Sequence, residues 1–171
     1  MSPNSLRSLA NPRADRPSIP VSYGIQPAPS GEGTLPWDFV GERMHAARNY
    51  WVVSSSREGR PHAVPVWGLW LDDMFLFSTA AGSVKARNLA NDSRCVVCTE
   101  HADEAAIVEG VAEELADREL LARFKDLYKE KYDWDLDIDA GGIYVVRPRV
   151  AFGFIEHSDQ FAGSATRWVF E

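Results

Sequence analysis

Basic charge, cysteine and long apolar runs are all scarce in this chain, and each shortage removes a class of function. The 171 residues carry 18 Lys+Arg against 25 Asp+Glu, a formal net charge of −7. Phosphate-backbone affinity comes from clustered bases, so a general nucleic-acid binder is excluded. No apolar stretch approaches the ~20 residues of a membrane helix, so a membrane protein is not expected. The two cysteines stand in Cys95-Val-Val-Cys98, within a strand-like run. An offset of three on a strand points them to opposite faces, where they neither bridge nor share a metal. No second Cys/His pair has zinc spacing. Both read as buried small hydrophobes in a reducing compartment, which places the chain in the cytoplasm.

What the chain does hold is material for a core. Hydrophobic residues make up 45% and aromatics 11%, which excludes wholesale disorder. Proline is uneven, with Pro3, Pro12, Pro17, Pro20, Pro27, Pro29 and Pro36 crowded at the start. That stretch also carries Arg7, Arg13 and Arg16 against Asp15, with little apolar periodicity. Residues 1–33 are therefore expected as a flexible Pro-rich tail, and residues 34–171 as the folded domain. The tail lacks the apolar segment of a secretory signal, so export is not expected.

Periodicity then gives an order of elements. A helix is expected over 34–49, where Trp37, Val40, Met44 and Ala47 recur at helical spacing. Strands follow at 50–56, 61–71 and 74–79, the last two joined by a tight turn at Asp72-Asp73. A short helix over 83–90 leads to strands at 94–100 and 105–116, with Gly110 marking a bulge or a close approach. An amphipathic helix spans 117–131, a long strand 142–154, and a short aromatic tail 165–170. Six short strands at hairpin spacing with inserted helices suggest a mainly β fold, a closed antiparallel barrel. An α+β sandwich is the alternative.

Two stretches carry chemistry. In Phe77-Ser-Thr-Ala-Ala-Gly-Ser-Val-Lys-Ala-Arg-Asn-Leu89 a strand ends at Ser78 and Thr79, and a helix opens at Ser83. The unpaired N–H groups and partial positive charge of a helix start bind anions. Thr79 and Ser83 add hydroxyls, and Lys85 and Arg87 add full charges. Local sequence equally allows a plain Ser-capped helix with two solvated bases. In Gly59-Arg-Pro-His-Ala-Val-Pro-Val-Trp-Gly-Leu-Trp-Leu71, period two puts His62, Val64, Val66, Gly68 and Trp70 on one face. Pro61 and Pro65 cannot donate to a ladder, so one side is an edge or faces a ligand. His62 is an acid–base candidate or a hydrogen-bonded structural histidine.

These two stretches, together with Val108-Glu-Gly-Val-Ala-Glu-Glu114 and Ala165-Thr-Arg-Trp-Val-Phe170, resemble the pyridoxamine 5′-phosphate oxidase-like split-barrel superfamily. The match is closest to its flavin/deazaflavin-dependent oxidoreductase branch and covers residues 34–171. The resemblance implies a six-stranded antiparallel split β-barrel of FMN-binding type with flanking helices. It implies a homodimer with two shared sites for FMN or coenzyme F-420, which the sequence does not separate. By position, Pro65, Val66 and Trp67 would line the ring. Ser78, Thr79, Ser83, Lys85, Arg87 and Asn88 would hold the phosphate, which tips the helix start from plain cap to anion site. Arg167 and Trp168 would cap the cofactor, from the other subunit if the dimer shares its sites, while Trp168 could equally pack a terminal strand. The polyglutamate tail of F-420 would meet Arg60 or the tail arginines. The extra C-terminal substrate residues of the vitamin oxidases have no equivalent here, so pyridoxamine phosphate oxidation is not expected.

The implied activity is hydride transfer to a small unsaturated or quinone-like substrate, with His62 or Tyr50 as candidate proton donors and no metal. The alternative is a non-catalytic carrier of flavin or F-420, or a haem binder using His45, His62, His101 or His157.

Overall fold

The structure, a computed structural model, describes residues 12–25, 33–157 and 159–171. Its frame is one antiparallel sheet of nine strands. In chain order these are β1 (Arg13–Asp15), β2 (Tyr50–Ser55), β3 (Pro61–Val66), β4 (Gly68–Leu71), β5 (Met74–Ser78), β6 (Arg94–Thr99), β7 (Glu104–Glu114), β8 (Ile143–Ile155) and β9 (Thr166–Val169). The helices are α1 (Asp38–Ala46), α2 (Val84–Asn91), α3 (Arg118–Tyr132) and α4 (Phe161–Ser164), and one 3-10 turn covers Val21–Tyr23. Among the described residues no helix is long and apolar enough to cross a membrane.

Local chemistry explains most boundaries. Asp72 and Asp73 both adopt positive φ, 50° and 59°, which turns β4 into β5 through a two-residue hairpin of matching twist. Ser83 accepts from the Ala86 amide and starts α2. Asp117 accepts from the amides of Glu119 and Leu120 and starts α3. β7 shifts register against β8 between Glu109 and Gly110, a bulge that bends both strands.

The strand order runs β1-β9-β8-β7-β6-β2-β3, and β8 also pairs β5, which pairs β4. Of the three free ends of this sheet, β1, β3 and β4, the last two are consecutive in the chain with only Trp67 between them. The mainly β, antiparallel split-barrel architecture is as expected, but six strands and hydrogen-bonded closure are not. The expected strand 61–71 breaks at Trp67 because its first half pairs β2 and its second half pairs β5. β1 and β9 extend the other edge. Within the stretch expected as a flexible Pro-rich tail, residues 13–16 pair with the folded domain. Arg13–Asp15 pair with Arg167–Val169, and Arg16 donates to the carbonyls of Gly163, Ala165 and Gly33. Residues 1–11 and 26–32, with Arg7, lie outside the described residues.

Inward residues of seven strands converge on one core: Tyr50 and Val52, Val66, Trp70, Phe75 and Phe77, Val97, Val108, Val146 and Ala151. The sheet therefore curls around them, and α1 fills one end with Phe39, Val40 and Met44. A second core lies on the outer face of β4, β5 and β8, where Leu69, Leu71, Leu76 and Val145 meet Leu120, Leu121 and Phe124 of α3. Cys95 is buried and Cys98 half-buried on opposite faces, both free, and burial pushes the Cys95 thiol up to about 12.

Candidate anion and cofactor site

β5 delivers the chain to the site and α2 opens it. After Ser78 the Thr79 amide donates to the Gly142 carbonyl at 2.8 Å, and the Thr79 and Ser83 hydroxyls lie 3.0 Å apart. Ser83 takes up two of the helix-start amides, those of Ala86 and Arg87. The amides of Val84 and Lys85 remain at the open end of α2, where the helix dipole concentrates positive charge. Gly142 backs this turn at φ +75°, and a Cβ there would collide with the Thr79 carbonyl. Its own amide is held by Glu114 Oε1 at 3.0 Å. Glu114 and Gly142 are parts of the site that motif reading missed, although the Gly141-Gly142 pair was a visible signal of a constrained turn.

Lys85 is the unusual member. It is only 7% exposed, yet among the described residues its ammonium faces no carboxylate. Its Nζ stands over the Phe77 ring, 5.6 Å from the centroid. Burial holds its pKa below the ordinary lysine value. A cation on a largely buried stem, with no carboxylate partner among the described residues and next to a helix start, has the electrostatics of a candidate anion site.

The other expected phosphate ligands divide. Ser78 and Thr79 are half-buried at the turn. Arg87 is exposed and folds back to donate to the Gly82 carbonyl, which keeps its guanidinium beside the helix start. Asn88 does not serve the turn. It is buried one helical step further on, and its Nδ2 donates to Ser54 Oγ at 3.1 Å, tying α2 to β2.

The ring-lining segment also divides, because successive strand side chains alternate. Pro65 and Trp67 are exposed, whereas Val66 is 8% exposed and belongs to the core, so it can offer a ligand only its backbone. Trp67 stacks on Tyr132 at 4.8 Å with planes 7° apart. The break beside it is satisfied from α3. Tyr132 Oη meets both the amide and the carbonyl of Gly68, and Lys131 Nζ donates to Ala47 O, Tyr50 Oη and Gly68 O.

Three more of the expected residues lie away from the turn. Tyr50 is fully buried, its hydroxyl lies 2.5 Å from Met44 O, and desolvation pushes its pKa far up. Trp168 lies in the core of its own chain. It is 1% exposed, seated over Gly153 and edge-on to Trp37 at 5.6 Å. Arg167 ion-pairs with Asp15 at 3.5 Å and ends an outward row that reads Pro65, Trp51, Cys98, Ile107, Phe152, Arg167. Five ladder steps around the sheet separate Arg167 from Pro65.

His62 stays near the site, directly across the ladder from Ser54, and its buried Nδ1 has no partner. His45, His101 and His157 are exposed on α1, the β6–β7 connection and the end of β8. Among the described residues no cluster of His, Cys, Asp or Glu could hold a metal ion.

Solved structures share this fold. A conserved hypothetical protein of Mycobacterium tuberculosis has a similar structure at 20% identity, with a TM-score of 0.64 over 74% of this chain and 89% of that one. The haem storage protein of Vibrio cholerae aligns at 13% identity, with a TM-score of 0.54 over 66% of this chain and 86% of that one. An F420 reductase aligns at 18% identity, with a TM-score of 0.54 over 68% of this chain and 98% of that one. No curated protein matches the chain. The sequence profile described as pyridoxamine 5′-phosphate oxidase matches residues 40–160, a span that includes β2 to β8 and the start of α2, and the chain accordingly belongs to that family.

Proposed function

We propose that this chain is an oxidoreductase that holds FMN or coenzyme F-420 by its phosphate at the start of α2 and presents the ring to a small unsaturated or quinone-like substrate. The observation that carries the reading is Lys85, a buried cation with no counter-ion beside two open helix-start amides. A phosphate there accepts from the Val84 and Lys85 amides, from Thr79 Oγ1 and from Lys85 Nζ, with Arg87 beside them. When bound, such a cofactor supplies the hydride; the chain supplies position, dryness and charge. The backbone of Pro65–Trp67 carries the ring, and the proton that accompanies the hydride comes from solvent or from His62. A second copy of the chain completes the site, a reading supported by the exposed apolar face around Trp51 and Pro65. A haem reading has less support, because the exposed histidines share no cavity.

Titration with FMN and F-420 side by side tests the reading. Lys85→Ala should weaken the tighter cofactor by ~1.5–3 kcal/mol, the scale of a charge-assisted hydrogen bond. Unchanged affinity removes the cradle. Tight binding without turnover of any unsaturated acceptor leaves a cofactor carrier instead.

A further inference from the structure

Trp67 and Trp134 are both exposed, 38% and 58%, and they are not scattered. Their ring centroids lie 6.5 Å apart with planes at 70°, so together they form an open corner. One face of Trp67 is backed by Tyr132 at 4.8 Å, with Tyr128 at 6.4 Å from its ring. Tyr132 is itself fixed through its hydroxyl to Arg48 O and to Gly68. The indole is thus ordered before any guest arrives, and its remaining face carries its exposure. An isolated surface tryptophan needs no explanation, but a pre-ordered right-angled pair does.

We propose that this corner is the substrate subsite and that its guest is a planar, electron-poor conjugated ring. The inference rests on the oxidoreductase reading for its position, since Trp67 ends the Pro65–Trp67 segment whose backbone is assigned to the cofactor ring, which leaves its indole for the substrate. The indole face is the electron-rich side of the aromatic quadrupole. A hydride acceptor is electron-poor before reaction and electron-rich after it, so the corner favours substrate over product. The guest ring takes one hydride from the reduced flavin-type cofactor and one proton from solvent. It leaves two electrons richer, and the cofactor is left oxidised. A cationic guest is disfavoured, because the cluster already carries Arg48 at 5.4 Å and Lys131 at 5.4 Å over Tyr132.

The test uses the full-length, cofactor-free protein and a naphthoquinone methylated at both quinone-ring carbons, which thiols do not attack. Equilibrium dialysis should show saturable binding, weaker binding of the corresponding hydroquinone under anaerobic conditions, and none of tetramethylammonium. Trp134→Ala should weaken the naphthoquinone about three- to tenfold, on the scale of one aromatic pair, and Trp134→Phe should restore most of the loss. Trp134 is exposed, so neither change disturbs a core. Equal binding by wild type and Trp134→Ala, or no binding by either, overturns the subsite. Lys85→Ala separates the two readings, because it should lose cofactor affinity and keep the naphthoquinone. Trp134-dependent binding in a protein that takes neither FMN nor F-420 would sink the oxidoreductase reading and leave the aromatic subsite standing.

Discussion

A half-buried and a buried lysine show how one residue type is used in two ways. Lys131 is satisfied by Ala47 O at 2.6 Å, Tyr50 Oη at 2.9 Å and Gly68 O at 3.3 Å, and so ties α1, β2 and the β3–β4 break to α3. Lys85 has no such ring of acceptors among the described residues, which is why the proposed anion is placed beside it. Burial lowers the pKa of Lys131 from 10.5 to about 8. A folded value below the unfolded one means the unfolded chain binds more protons between these limits, so this residue's contribution to stability rises with pH there. Chemical denaturation of wild type and Lys131→Met should therefore show a stability difference that moves in favour of wild type as pH climbs through 8. A difference that stays flat from pH 7 to 10 would mean the ammonium is not desolvated.

Elements whose cause is local were legible in the sequence. The Asp72-Asp73 turn, the Ser83 cap, the bulge at Gly110 and the opposed cysteines follow from neighbours within a few residues. β1 was not legible, because Arg13-Ala14-Asp15 has no pattern of its own and becomes a strand only against Arg167–Val169. The break at Trp67 was hidden for the same reason: residues 61–71 read as one strand, and a change of pairing partner leaves no local mark. Trp168 sits on a strand of four residues, too short for alternation to show which face is buried. The anion site was legible as hydroxyls, bases and a helix start, whereas the burial that makes Lys85 informative was not. Gly142 is the element-scale test. With φ at +75° and the Thr79 carbonyl in the path of any Cβ, Gly142→Ala should cost ~1–3 kcal/mol and displace the turn. Cofactor titration of that variant should show weaker binding although no ligand atom has been removed; unaltered affinity would free Thr79 from this support.

At the scale of the whole molecule, charge and surface point in different directions. The net −7 disfavours polymers of phosphate, while Lys85, 7% exposed, is the cation on which the proposed small-anion site rests. The outward faces of β2 and β3 leave Trp51 45% exposed, with Pro61, Ala63 and Pro65 also in solvent. Half-buried Val53, Val96, Cys98, Ile107 and Phe152 continue the same face across β6, β7 and β8. An apolar surface of this extent suits the second copy proposed above. Light scattering should return twice the 19.1 kDa chain mass, and Trp51→Glu should shift it toward the single-chain value. A single-chain mass for the wild type removes the shared site.

The strand that changes partners at Trp67 has a consequence for folding fidelity. Because β3 and β4 share one covalent thread, sliding β3 along β2 by one residue would drag β4 along β5 by the same amount. Each slip would turn a buried row outward, so an error at one seam is penalised twice. The circumference is locked like a clasped bracelet, and the chain should settle into its register in a single cooperative step rather than strand by strand.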